Sequence, residues 1–188
     1  MSLTVAERSV EVDLGDALSL RQLRVSDASA LRSVAVANKA YLRRHGEFDD
    51  RQFASDDATA KTISAYEGIG LLDFGICLRG QLIGNAILSP TTLNLERMAT
   101  ISYWVAEEYT GRGYATRAAK AMVDCAFANW DSYAVNALVL KQNYASKKVL
   151  QKAGLLLVEM DERDSPVELW SVDNPVVPPD HSTADLAR

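Results

Sequence analysis

Between Tyr103 and Trp130 the chain reads YWVAEEYTGRGYATRAAKAMVDCAFANW, and this stretch constrains everything around it. A β-type run ends in a short turn and a glycine-rich loop, and a long amphipathic helix follows. Tyr114, Ala118, Met122, Cys125 and Ala126 recur at three- and four-residue spacing, which builds one face for burial. Thr116, Arg117, Lys120 and Asp124 populate the other side. Gly111 and Gly113 bracket Arg112, and Ala115 follows. Small residues there let the first-turn amides approach an anion closely. Those amides have no partner inside the helix, and the helix dipole adds positive potential at the same place. A pyrophosphate is the expected guest. The spacing fits neither the dinucleotide fingerprint, which needs G-x-G-x-x-G after the first strand of a βαβ unit, nor a P-loop, since no Gly-Lys-Ser/Thr follows. On its own the loop also suits a helix start that needs small residues only for packing.

Composition narrows the classes. At 188 residues the chain suits one domain with a sizeable core. The 48% hydrophobic and 24% charged residues are ordinary globular values. A net charge of −5 argues against general affinity for nucleic acid or an anionic membrane. No apolar run reaches the ~18 residues of a membrane span, and MSLTVAERSVEVDLGD lacks a basic-then-apolar signal pattern, so a cytoplasmic location is expected. Cys77 and Cys125 have no CxxC or Cys/His companion and are expected as buried thiols. With two histidines a His-rich metal site is excluded, and no metal is expected.

In chain order, residues 1–17 have no clear period and are expected as a flexible lead-in. Leu18–Val25 alternates as a first strand, and Ser26 or Asp27 caps a helix to about Asn38. A second helix is expected over Asp56–Tyr66. Leu71–Leu78 and Gln81–Leu88 form a hairpin at Arg79-Gly80, and Pro90–Asn94 is a turn. Arg97–Val105 is the strand leading into the loop, and Ala134–Leu140 is a buried strand after the long helix. Asn143 caps a short helix that Gly154 ends, and Leu155–Glu159 with Val167–Val172 forms a final hairpin. Residues 18–173 are therefore expected as a single domain and 174–188 as a disordered tail.

Three stretches resemble the GCN5-related N-acetyltransferases, and within them the RimJ/RimL type that acetylates ribosomal-protein N-termini. They are Asn38-Lys39-Ala40-Tyr41-Leu42, Ile101–Val105 with Thr110–Thr116, and Asn143-Tyr144-Ala145-Ser146 ending in Lys152-Ala153-Gly154. The order βααβββαβαββ matches that family. The resemblance implies an α+β fold with a mixed, mostly antiparallel central sheet, flanked by helices and splayed between its fourth and fifth strands. It also implies acetyl-coenzyme A as co-substrate and an amine as acceptor, with a protein or peptide N-terminal α-amine preferred. A small amine such as an antibiotic or metabolite is the alternative, and a non-catalytic acyl-CoA-binding module is a third reading. Exposed apolar surface on the final hairpin would suit a homodimer.

The resemblance assigns roles residue by residue. Tyr103, Trp104 and Val105 form the strand segment that would hold pantetheine and offer backbone donors to the oxyanion. Thr110, Gly111, Arg112, Gly113, Tyr114, Ala115 and Thr116 form the phosphate loop, with Thr110 standing where the family usually has Gln or Arg. Asn143 caps its helix and matches an asparagine lining the channel. Ser146 matches the serine that protonates the departing sulfur, with Tyr144 the weaker candidate. Lys147, Lys148 and Lys152 read as a solvated face, although Lys147 or Lys148 could neutralise phosphates. The general base is open. Thr100 occupies a position where relatives often carry Glu, and no spacing selects among Glu162, Asp164 and Glu168. An α-amine with pKa near ~8 needs less help than a lysine amine near ~10.4.

Overall fold

Period-two alternation puts Leu18 and Leu20 of one strand and Phe74 and Ile76 of another on a single sheet face, where none is more than 1% exposed. That face is the inner surface of the larger of two cores. The computed structural model describes residues 11–46, 48–93, 96–130, 132–158 and 165–177. Its strands are β1 (Glu11–Gly15), β2 (Leu18–Gln22), β3 (Leu72–Leu78), β4 (Gln81–Leu93), β5 (Glu96–Val105), β6 (Ala134–Leu140), β7 (Leu156–Leu157) and β8 (Val167–Asp173). Its helices are α1 (Ala28–Ala37), α2 (Lys39–Arg44), α3 (Asp56–Gly68), α4 (Tyr114–Asn129) and α5 (Tyr144–Ala153). The strands lie in one sheet in the order β1-β2-β3-β4-β5-β6-β8-β7, antiparallel except where β5 meets β6. α4 brings Ala118, Met122 and Ala126, and α5 brings Leu150, to the core on the Phe74 face. Leu31, Ala35, Leu42 and Ile63 of α1, α2 and α3 build the second core on the opposite face, around Trp104. The mixed α+β class expected from the sequence is the one observed. Among the described residues no helix is long and apolar enough to cross a membrane.

The feature that positions the site is a parting of strands. β5 and β6 pair only at Met98–Ala134, Ala99–Val135 and Thr100–Asn136. Beyond that, β5 stays with β4 as far as Val105–Gly84, and β6 stays with β8 as far as Leu140–Val167. The two halves diverge because each strand keeps its other neighbour. Gly84 is needed for this. A Cβ there would run into the Trp104 carbonyl oxygen and lie 2.9 Å from Val105 Cα, so only glycine lets β4 press this closely on β5. The opening falls between the strands counted fourth and fifth from the sequence, and one extra N-terminal strand shifts their numbers here.

Three expectations are corrected. Glu11–Gly15, read as part of a mobile lead-in, pairs with β2 from Glu11–Arg21 to Gly15–Leu18. Its Val12 and Leu14 pack on the larger core. The Arg117 guanidinium of α4 donates to the carbonyls of Leu14 and Gly15 and ties the strand down. The two-residue turn puts Asp16 (φ 50°) and Ala17 (φ 58°) in the left-handed region, so the hairpin carries none of the usual Asn-Gly sign. Pro90, expected in a turn, lies inside β4 opposite Ala99. β3 ends its pairing at Leu88, which leaves that side of β4 an edge where a missing N–H is tolerated. The first helix ends at Ala37, in keeping with its expected end at about Asn38, and α2 follows directly. Of the expected tail, residues 178–188 lie outside the described residues. Asn174 is anchored, donating its side-chain amide to the Ser132 carbonyl at 2.8 Å.

Candidate functional site

α4 begins without a cap. Gly113 at its start has φ 81°, Gly111 has φ 74°, and no heavy atom lies within 4 Å of a Cβ built on either. Both glycines thus supply a left-handed backbone, and the space above them is open. No side chain caps the helix, and no acidic residue stands in its first turn. The first internal bond is Arg117 N–H to the Gly113 carbonyl, at 3.0 Å. This end of the helix is therefore electropositive and open to an anion.

From this point a cleft of about 290 Å³ runs into the opening between β5 and β6. Thr110, Gly111, Gly113, Tyr114, Ala115 and Thr116 line its outer end, and Tyr103, Trp104 and Val105 line it along β5. Asn143 and Ser146 reach it from α5. The strand's own geometry decides which backbone groups face the opening. The Arg97 carbonyl accepts from Tyr133 N–H next to β6, while Ala106 N–H donates to Ile83 of β4. Backbone groups alternate along an unbulged strand, so Ile101, Tyr103 and Val105 turn theirs toward the widening gap and Trp104 turns its toward β4.

α5 presents Ser146 in a fixed position. Asn143 Oδ1 accepts from Ser146 N–H at 3.1 Å, the N-cap expected from the sequence, and Gly154 ends the helix in the left-handed region. The Tyr103 phenol lies 3.0 Å from Ser146 Oγ and donates to the Ser146 carbonyl at 3.3 Å. Strand and helix thus converge on one hydroxyl.

Some expected residues stand apart. Tyr144 is 69% exposed, carries the Lys147 ammonium 5.2 Å above its ring, and does not line the cleft. Arg112 is exposed and lies over the Tyr109 ring, 5.9 Å from its centre. Lys147 is bound to Glu168 at 2.8 Å, whereas Lys148 and Lys152 line the cleft. Glu168 also accepts from Trp170 Nε1, and the Lys147 ammonium holds its carboxyl below the usual range. The Thr100 hydroxyl pairs with Thr91 at 3.0 Å. Glu162 and Asp164 lie outside the described residues. Cys77 and Cys125 are free thiols, and burial pushes both up. No group of three His, Cys, Asp or Glu side chains among the described residues could hold a metal.

The site also contains residues to which the sequence assigned no role. Tyr41, Leu42 and His45 line the cleft from the α2 segment, and Tyr109 lines it from the short turn ahead of the loop. α2 lies across the gap. Asn38 Oδ1 accepts from Glu107 N–H just past β5 at 2.9 Å, and Arg44 pairs with Glu107 at 3.1 Å. At its far end a Cβ on Gly46 would sit 3.0 Å from Leu140 of β6. A link between residues 38 and 107 has no local signal, so only the tertiary fold shows it.

Residues 17–156 match the family model described as an acetyltransferase (GNAT) domain. Among curated sequences the chain is 26% identical over 146 residues to the "Probable N-acetyltransferase YjcK" of Bacillus subtilis (strain 168), covering 74% of this chain and 81% of that protein. Among solved structures, the ribosomal-protein-S5-alanine acetyltransferase of Vibrio fischeri superposes with a TM-score of 0.79 at 18% identity, over 92% of this chain and 100% of that one. Mycobacterium smegmatis RimJ, in complex with CoA-disulfide, superposes with a TM-score of 0.73 at 24% identity, over 83% of this chain and 81% of that one.

Proposed function

The chain belongs to the GNAT acetyltransferase family, and on that premise we propose that it moves an acetyl group from acetyl-coenzyme A to a primary amine, the N-terminal α-amine of a protein or peptide. The observation that carries this reading is the gap between β5 and β6 opening onto the uncapped start of α4. The residues present fit the coenzyme. The Tyr114, Ala115 and Thr116 amides would hold its diphosphate, and Lys148 and Lys152 would add compensating charge. Val105 would bond the pantetheine arm through its backbone, and the thioester supplies the acetyl group.

The chain's own residues then do four things. Backbone donors on β5 that face the gap stabilise the developing oxyanion, each worth about 3 kcal/mol. Gly84 keeps that strand where the donors are needed. Ser146, oriented by Asn143 and Tyr103, gives its proton to the departing sulfur. Trp104, buried to 8% exposure, excludes water from the inner wall. An α-amine acceptor is favoured because its pKa near ~8 leaves part of it neutral at physiological pH, whereas a lysine amine near ~10.4 is almost wholly protonated. The Vibrio fischeri relative, named for the alanine of a ribosomal protein, is consistent with that acceptor.

Incubation with acetyl-coenzyme A and peptides beginning in Ala or Ser, read by mass spectrometry, tests this. One acetyl group on the α-amine is expected. Transfer only to lysine side chains, or to no amine at all, would contradict it.

A further inference from the structure

Proton removal from the acceptor is the one requirement that the assigned residues leave unmet. Among the described residues the cleft wall carries no carboxylate. Of the described carboxylates near it, Glu168 is committed to Lys147 and Trp170, and Glu107 to Arg44. Lys148 and Lys152 on the wall are assigned to the coenzyme's phosphates, and the Tyr103 phenol is engaged with Ser146. Among the described residues the cleft wall does carry one imidazole, that of His45. Resting on the acetyl-transfer reading, we propose that His45 takes the proton from the acceptor ammonium, directly or through one water.

The location suits the role. His45 follows the last residue of α2 and lines the cleft, and the α2 segment bridges the parted strands from Glu107, just past β5, to Leu140 of β6. An acyl group held between β5 and β6 would lie beside that bridge, within the cleft that His45 lines. The ring is held in place. Tyr41 packs edge-on against it at 4.8 Å between ring centres, and the His45 backbone N–H donates to the Leu42 carbonyl at 3.0 Å, which fixes the main chain beneath it. Asn38–Glu107 and Arg44–Glu107 fix the helix carrying it. Imidazole is also the side chain suited to exchanging a proton near neutral pH.

The step balances. The ammonium N–H bond breaks, its proton passes to the imidazole, and His45 releases it to solvent. The neutral nitrogen attacks the thioester carbon, forming C–N as C–S breaks. The sulfur takes a proton from Ser146, and the second proton lost by nitrogen on amide formation restores the serine.

The test replaces His45→Ala in the full chain and measures turnover of an Ala-initiated peptide together with the dissociation constant of acetyl-coenzyme A. Turnover is expected to fall about 10²-fold with coenzyme affinity unchanged. Added imidazole is expected to restore it, and pyrazole, of similar shape but far less basic, is expected not to. Unchanged turnover, a matching loss of coenzyme affinity, failure of imidazole to restore activity, or equal rescue by pyrazole would each overturn the role of His45. A wild-type protein that binds the coenzyme and acetylates no amine would instead overturn the acetyl-transfer reading itself.

Discussion

The Tyr103 phenol oxygen lies 3.0 Å from Ser146 Oγ, joining the C-terminal end of β5 to the first turn of α5. If Ser146 protonates the leaving sulfur, Ser146→Ala lowers kcat by about 10²-fold while acetyl-coenzyme A binds as before. Tyr103→Phe keeps the ring and loses one hydrogen bond, so its effect on kcat is smaller, about 5- to 10-fold. Steady-state kinetics with calorimetric binding separates the two.

The phosphate loop is tested at Gly113. At φ 81° a branched side chain is strained by about 1–2 kcal/mol before any ligand arrives, and Val would also fill the open space over the first-turn amides. Gly113→Val is expected to weaken acetyl-coenzyme A binding more than tenfold, beyond what a modest fall in Tm explains. An unchanged dissociation constant would remove the loop from the site.

Lys148 and Lys152 give a salt-dependent signature. Replacing both with Ala is expected to weaken coenzyme binding about tenfold at low ionic strength, with the difference shrinking toward ~1 M salt, where charges are screened within about 3 Å. Lys147→Ala, by contrast, breaks the pair with Glu168 and leaves coenzyme affinity nearly unchanged.

Asp73 sets a pH dependence unrelated to catalysis. It is buried on β3, its Oδ1 accepts from Asn85 Nδ2 at 2.6 Å, and its Oδ2 has no hydrogen-bond partner. Burial pushes its pKa up from 3.8 to about 6. The folded state then holds a proton that the unfolded chain has already lost, so stability falls as pH rises from about 4 to about 6 and levels off above. The shift corresponds to ~3 kcal/mol. Asp73→Asn is expected to flatten this slope in denaturant titrations across that window, and an unchanged slope would contradict it.

Much of this was legible in the chain itself. The hairpin signal at Arg79-Gly80, the apolar run of β6 and the three-and-four spacing of α4 are local patterns that the structure keeps. Asn143 and Gly154 announce the ends of α5 because a cap is a local interaction. What escaped the sequence is non-local or chemically unsigned. β1 is a short alternation closed by a turn of Asp16 and Ala17, which lacks the Asn-Gly or Asp-Gly pair of a usual two-residue hairpin, and is secured by Arg117 some hundred residues away. Pro90 fits a strand only because β3 stops beside it. α2 reaches the cleft through a contact between Asn38 and Glu107, and the side-chain orientations that separate Lys148 from Lys147, or Ser146 from Tyr144, depend on how α5 packs.

The most direct measurement is a crystal structure of this protein with acetyl-coenzyme A. The account predicts the diphosphate on the amides of residues 114–116, with the pantetheine arm passing between β5 and β6 beside Val105 and the acetyl carbon facing α2. A diphosphate bound elsewhere, or an arm that runs outside the opening between those strands, would contradict it.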